Sequence, residues 1–231
     1  MIQDQWRAFL LGLASVPGPR WVSSPRAIRA AEDKARQLSL ARRLGMDVPE
    51  TLWTNSLSSA RRFLDENGGE MAAKSVTSAW WEREGTGWFV FAGRVQREDL
   101  PSASGLAAAP VALQAPIDPK RDVRVTVVGS QVFAAIRVDE PASAVGPDAV
   151  PLDWRRGSDQ PWVPHALPDT TVFRCVELVA SLDLRFGAID LLLDLSGRYW
   201  FCEINPNGEW GWLQRSGLPI AEALADHLLN D

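Results

Sequence analysis

Lysine is scarce in this chain of 231 residues: Lys34, Lys74 and Lys120 are the only three among 24 basic residues, so arginine carries almost all ordinary surface charge. A lysine that survives such a bias is a stronger functional candidate than usual. A basic excess is also missing. The formal net charge of −5 argues against the electropositive footprint of a nucleic-acid-binding protein. Long apolar runs are absent. The patch from Ala8 to Val16 falls far short of the ~20 residues of a membrane span and has no basic segment before it, so neither an anchor nor a secretion signal is expected. Only two cysteines and two histidines occur. Cys175 and Cys202 each sit in an apolar element and read as buried, reduced thiols of a cytoplasmic protein. His227 reads as a surface or cap residue, and His165, in WVPHALP, as a minor candidate for lining a cleft. No Ser-His-Asp or metal-His spacing is found. G-x-x-x-x-G-K-[ST] and G-x-G-x-x-G are both lacking, which disfavours P-loop and dinucleotide sites.

What is present alternates between helical and extended patterns, without an internal repeat. Ser24-Pro25 has the form of a helix cap followed by Pro at the first helical position. Ile28, Ala31, Ala35, Leu38, Ala41 and Leu44 then predict one helix, stopped by Gly45. Residues 48–54 are extended, and Ser56 opens a second helix ended by Gly68-Gly69. MAAKSV (71–76) predicts a strand whose hairpin partner is GWFVFAGRV (87–95), with the turn at Glu84-Gly85. A loop or short helix at 96–109 and a strand at 111–113 lead to an irregular connector, QAPIDPKRD. The segment 123–138 predicts a hairpin turning at Gly129-Ser130, and 139–170 a long excursion containing DWRRG. A helix over 171–184, a hairpin over 187–204 and a closing helix over 218–229 complete the pattern. Many hairpins and few βαβ units mean an α+β fold in two lobes.

The last hairpin carries the chemistry. A two-residue or symmetric four-residue loop around Ser196-Gly197 places Asp190 directly opposite Glu203, and alternation puts Asn205 on the same face. Leu192 and Phe201 are then expected beside the acids, with Ile189, Leu191, Leu193, Trp200, Cys202 and Ile204 on the other face. Directly opposed carboxylates have Cβ atoms only ~4.5–5.5 Å apart and repel. A divalent cation relieves that repulsion. Two carboxylates and an amide oxygen are hard ligands suited to Mg2+, which takes its remaining ligands from water and substrate phosphates. Lys74, inside an apolar strand, would be costly to bury unpaired, and a nucleotide phosphate would pair it. Most of the 11 tryptophans are core by default. Trp210 and Trp212, just beyond the ligand turn, are candidates to pack on a bound peptide.

Lys34 in EDKARQLSLARRLGMDVPETLWTN, Lys74 in AAKS, then DVRVTVVG, DWR, FGAIDLLLD and FCEINPNGEWGWLQRSGLPIAEALADHL occur in the order seen in ATP-grasp ligases. From Trp21 to Leu229 the chain resembles the ATP-grasp peptide maturases that make graspetides, the microviridin-type macrocyclases. The tail EINPNGEWGW…GLPIA is the most specific part. The resemblance implies an ATP-grasp fold, with nucleotide held between a small lobe (48–113) and a C-terminal lobe (114–231). Residues 1–47 would be the remnant of a largely missing N-terminal domain and a linking helix. It also implies ATP and Mg2+ as cofactors, a ribosomal precursor peptide as partner, and room for a homodimer. Lys34 and Lys74 match the two phosphate-binding lysines, and the backbone at Ala115 and Ile117 matches the hinge that holds adenine. Asp122 matches the acid that meets the ribose. Arg124 and Arg155 match cationic positions near the γ-phosphate and substrate carboxylate. Asp190, Glu203 and Asn205 match the magnesium ligands, in agreement with the hairpin register. The hinge departs from the usual Gln-Glu-aromatic pattern, having Ala115-Pro116 instead. The implied function is an ATP-dependent carboxylate–amine or carboxylate–hydroxyl ligase working through an acyl phosphate, forming ester or amide links in the peptide. The alternatives are a ligase adding amino acids to a peptide or protein, and a non-catalytic precursor-binding helper.

Overall fold

In the computed structural model, which describes residues 2–14, 16, 20–76, 80–83, 86–89, 91–138, 152–156 and 160–230, short helices alternate with antiparallel strands. Helix α1 (Ile2–Leu13), which the sequence did not suggest, precedes α2 (Pro25–Ala31) and α3 (Lys34–Arg43). The single helix predicted from Ile28 to Leu44 is in fact broken at Glu32-Asp33. Asp33 turns extended and its carboxylate accepts the Arg36 amide at 3.0 Å, satisfying a donor that a first helical turn otherwise leaves bare. The break is consequential. Lys34 becomes the first residue of α3 instead of a mid-helix position.

Next come β1 (Thr51–Thr54), α4 (Leu57–Glu66), β2 (Met71–Lys74), β3 (Trp80–Arg83), β4 (Thr86–Phe89), β5 (Gly93–Val95), α5 (Ala103–Ala108) and β6 (Val111–Gln114). Four of these strands form a sheet in the order β1-β6-β2-β5, with Ala60, Leu64 and Leu106 packed on Met71 and Leu113. GWFVFAGRV is not one strand. Only β5 pairs with β2, from Met71↔Val95 to Ala73↔Gly93, while β3 and β4 pair with each other as a separate hairpin. The ladder on β2 ends after those few pairs, and the intervening residues make their own. The turn expected at Glu84-Gly85 lies outside the described residues.

The second sheet is built from β7 (Lys120–Val128), β8 (Gln131–Arg137), β9 (Trp162–Pro164), β10 (Phe186–Asp194) and β11 (Tyr199–Asn205), in the order β11-β10-β7-β8-β9. Helix α6 (Asp169–Ser181) joins α2 and α3 on one face, where Ala31, Leu38, Ala41, Cys175 and Leu178 meet Val123, Val125, Val127, Ile189 and Leu191. On the other face Leu213 and Ile220, the latter beginning α7 (Ile220–Asn230), cover Val128, Ala135, Phe186 and Ala188. Alternation on β7 therefore sends Lys120, Asp122 and Arg124 to the same face as Asp190, and they too are buried. Much of the excursion expected at 139–170, namely 139–151 and 157–159, lies outside the described residues; a 3-10 turn at Trp154–Arg156 and β9 lie within them. No helix among the described residues is long and apolar enough to cross a membrane.

The last hairpin corrects the expected register. Its loop has three residues, Leu195-Ser196-Gly197. Asp194 N–H donates to the Arg198 carbonyl at 3.0 Å, and Gly197 takes the left-handed conformation at φ +83 that such loops require at their last position. The Asp194 carboxylate fastens the turn, accepting from Ser196 N and Oγ, Arg198 N and Trp200 Nε1. Leu193 therefore faces Tyr199 and Leu191 faces Phe201, one residue off the expected pairing. A bulge at Cys202 then adds one residue to β11, and Asp190 faces Glu203 after all. Two residues opposing one is what a bulge does. The faces of 199–202 change accordingly. Phe201 lies in the core against Leu191, and Tyr199 packs beside it, whereas Cys202 lines the cleft on the acids' side together with Leu192. Phe201 is fully buried, so Phe201→Ala should cost about 3–5 kcal/mol of stability and Cys202→Ala under about 1 kcal/mol. Urea denaturation of the two variants checks this; the reverse ranking would restore the unbulged register.

Candidate active site

A cleft of about 620 Å3 lies between the two sheets. Lys34, Lys74, Ala115, Ile117, Asp122, Arg155, Asp190, Glu203 and Asn205, all singled out by sequence, line it. Arg124, the tenth, lies behind Asp190. Its Nη1 donates to Asp190 Oδ1 at 2.9 Å and its Nη2 to the Glu209 carbonyl at 3.2 Å, while its buried Nε has no partner among the described residues. Gly208 makes room for this arginine, since a Cβ there would meet Arg124 Nη2 at 2.7 Å and Ala188 Cβ at 2.5 Å.

The acid pair is not left to repel. Lys34 Nζ sits 3.0 Å from Glu203 Oε2, and Arg155 Nη2 sits 3.2 Å from Glu203 Oε1. Arg155 also pairs with Asp153 at 3.3 Å. Three side-chain cations thus answer the juxtaposition that the sequence argument assigned to a metal alone. The two acids are driven apart in acidity. Burial raises the Asp190 carboxyl despite Arg124. Burial acts the same way on Glu203, but Lys34, Lys74 and Arg155 outweigh it and hold that carboxyl at about 2. Asn205 is exposed at the end of β11, its Oδ1 accepting Asn207 N–H at 3.2 Å.

On the opposite wall Lys74 Nζ donates to Gln114 Oε1 at 2.6 Å, and Gln114 Nε2 donates to Thr51 Oγ1 at 3.0 Å. The first bond orients the amide; the second holds it. Asp122 is gripped through both oxygens by Lys120 Nζ, at 2.6 Å each, with Arg137 at 3.9 Å. Burial still raises its carboxyl above the ordinary range. Lys120, the third scarce lysine, is thus a buried partner of a cleft acid, a role not visible in the sequence. Trp212 packs with Trp154 and Trp162, ring centroids 5.1 to 5.6 Å apart, and Trp210 packs on the nearby core. His165 bonds the Tyr199 hydroxyl at 2.8 Å and does not line the cleft.

No protein-family model matches the chain, and no curated protein does. Solved structures do. The macrocyclase MdnC bound with precursor peptide MdnA, from Microcystis aeruginosa MRC, superposes with a TM-score of 0.83 at 28% identity over 99% of this chain and 69% of that one. A Chryseobacterium gregarium RiPP-associated ATP-grasp ligase, in complex with ADP and a leader and core peptide, gives 0.83 at 28% identity over 98% and 68%. The macrocyclase MdnB from Microcystis aeruginosa MRC gives 0.77 at 31% identity over 99% and 69%. This chain belongs to the RiPP-associated ATP-grasp macrocyclases. It is an ATP-dependent ligase with the ATP-grasp fold.

The ATP-grasp cleft also holds a thiol. Cys202, expected in the core, faces the cleft at the bulge. Burial pushes it up to about 11, with Lys74 pulling the other way, and pushes core Cys175 up to about 12. A raised thiol pKa means little thiolate at neutral pH. Iodoacetamide should therefore label Cys202 slowly at pH 7, about tenfold faster per pH unit as the thiolate fraction grows, with Cys175 silent until the protein unfolds. Peptide mapping by mass spectrometry reads both sites; fast, pH-independent labelling of Cys202 would contradict its placement.

Proposed function

We propose that this ligase closes rings in a ribosomal precursor peptide, joining a side-chain carboxylate to a hydroxyl or amine of the same peptide, with ATP and Mg2+ held between lobes 48–113 and 114–231. The observation that supports it most is the convergence of Asp190, Glu203 and Asn205 with Lys34, Lys74 and Arg155 in one cleft of a chain from this family. The donor set fits a nucleotide-borne cation. Among the described residues no group of three His, Cys, Asp or Glu side chains forms a self-sufficient metal site. Two carboxylates and an amide leave the remaining positions to waters and phosphates, which is how Mg2+ is usually held.

ATP supplies the phosphoryl group that converts the substrate carboxylate to an acyl phosphate, and Mg2+ neutralises the phosphate charge. The side chains bind and orient. Asp190, Glu203 and Asn205 would hold the cation, and Arg124 compensates Asp190 from behind. Lys34 and Lys74 face the phosphates, Lys74 being presented by Gln114. The backbone at Ala115 and Ile117 would meet the adenine edge, and Pro116 between them offers no N–H. Asp122, gripped by Lys120 through both oxygens, would offer its remaining lone pairs to the ribose. Arg155 is half-exposed at the cleft mouth, where its guanidinium can leave Glu203 for the acceptor carboxylate and the transferred phosphoryl group.

Intact-mass spectrometry of a candidate precursor with enzyme, ATP and Mg2+ tests the proposal: the peptide should lose one water per ring formed. A gain of one residue mass that requires an added amino acid would replace macrocyclisation by amino-acid ligation at the same site. No mass change and no ATP turnover would favour a non-catalytic helper. Glu203→Gln should fold and lose turnover by at least about 10²-fold. Lys74→Met keeps the strand's apolar stem and should weaken ADP binding in calorimetry; unchanged affinity would remove Lys74 from the phosphate site.

A further inference from the structure

β11 is an edge strand among the described residues, and beyond an isolated bridge between Asp47 and Trp200 the outer side of its backbone has no strand beside it there. Unpaired backbone groups in a buried position are costly. The structure meets them from α3 and the segment after it. Phe201 N–H donates to the Asp47 carbonyl at 2.7 Å. Three residues on, a side chain takes over. Ile204 N–H donates to Gln37 Oε1 at 3.1 Å, and the Ile204 carbonyl accepts from Gln37 Nε2 at 2.8 Å. The same Nε2 donates to the Ala31 carbonyl at 2.7 Å. A primary amide offers a donor and an acceptor in one plane, as a peptide unit does. Gln37 therefore stands in for a missing strand.

The two bonded groups belong to particular peptide units. Ile204 N–H is part of the peptide that follows Glu203, and the Ile204 carbonyl is part of the peptide that precedes Asn205. Gln37 pins the backbone on the inner side of both residues. It is only 3% exposed yet reaches the cleft wall, and Lys34, three residues earlier on α3, holds the Glu203 carboxylate.

We propose that Gln37 is a positioning residue for the divalent cation, fixing Glu203 and Asn205 at the separation the cation needs while touching neither cation nor nucleotide. The inference rests on the assignment of Asp190, Glu203 and Asn205 to the cation. Gln37→Leu removes the amide and leaves the volume filled. Calorimetric titration with ADP, first in EDTA and then with Mg2+, separates the two ligands. ADP affinity in EDTA should stay within about twofold of the wild type, while Mg2+ affinity of the ADP-loaded protein should fall about 10–100-fold, the usual cost of losing an outer-shell partner. Leu64→Ala, in the other sheet's core, supplies a destabilised control whose Mg2+ affinity should not change. Gln37→Glu keeps the acceptor for Ile204 N–H but loses the donor to the Ile204 and Ala31 carbonyls, and its added charge would by itself favour the cation, so weakened Mg2+ binding in that variant reads the displaced backbone; it replaces Gln37→Leu should the latter fail to fold. Wild-type Mg2+ affinity in the Gln37 variant would overturn the inference and leave the site reading standing. Nucleotide binding by the wild type that is indifferent to Mg2+ would overturn both.

Discussion

Asp190 facing Glu203 across the last hairpin is the constraint on which the rest of this site depends. Two carboxylates at cross-strand distance destabilise a hairpin unless positive charge reaches them. Here it comes from three elements: Arg124 from β7, Lys34 from the start of α3, and Arg155 from the turn at 154–156. Each cation has a definite place because something local puts it there. The break at Asp33 sets Lys34 at the first position of α3, Gly208 leaves space for Arg124, and Asp153 pairs with Arg155. The acid pair thus organises the cleft.

These contacts differ in how easily they give way. Arg124 is buried with Asp190, and breaking a buried pair strands a charge at several kcal/mol. It is therefore a permanent part of the scaffold. Lys34 and Arg155 have side chains 31% and 49% exposed, so on leaving Glu203 they return to water and not to a dry interior. In the proposed reaction they would exchange Glu203 for a phosphate or a substrate carboxylate, with the divalent cation taking their place on Glu203.

Much of this was legible in the sequence, though partly through cancelling errors. The Asp190–Glu203 pairing followed from an assumed even-numbered loop. The real loop has three residues, and the bulge at Cys202 restores the pairing only from Glu203 onward. Phe201 and Cys202 were consequently placed on the wrong faces. A bulge of this kind asks for no special residue type, so Cys202 carried no signal. Asp33 did carry one, as a good capping residue, but the apolar spacing across it read as continuous helix. Gln37 and Lys120 could not be assigned. Glutamine is an ordinary helix former, and its meaning here comes from a strand 167 positions away. The excess of arginine over lysine was the better guide, since all three lysines engage cleft residues: Glu203, Gln114 and Asp122.

The central claim is that the opposed acids are a cation site that Lys34 and Arg155 occupy by proxy. A crystal structure of the protein with ADP and Mn2+, read through the anomalous signal of manganese, tests it most directly. The account predicts one anomalous peak between Asp190 and Glu203, within ligand distance of the phosphates, with Lys34 and Arg155 moved off Glu203. A manganese ion elsewhere in the cleft, with the Lys34–Glu203 and Arg155–Glu203 pairs intact, would contradict it.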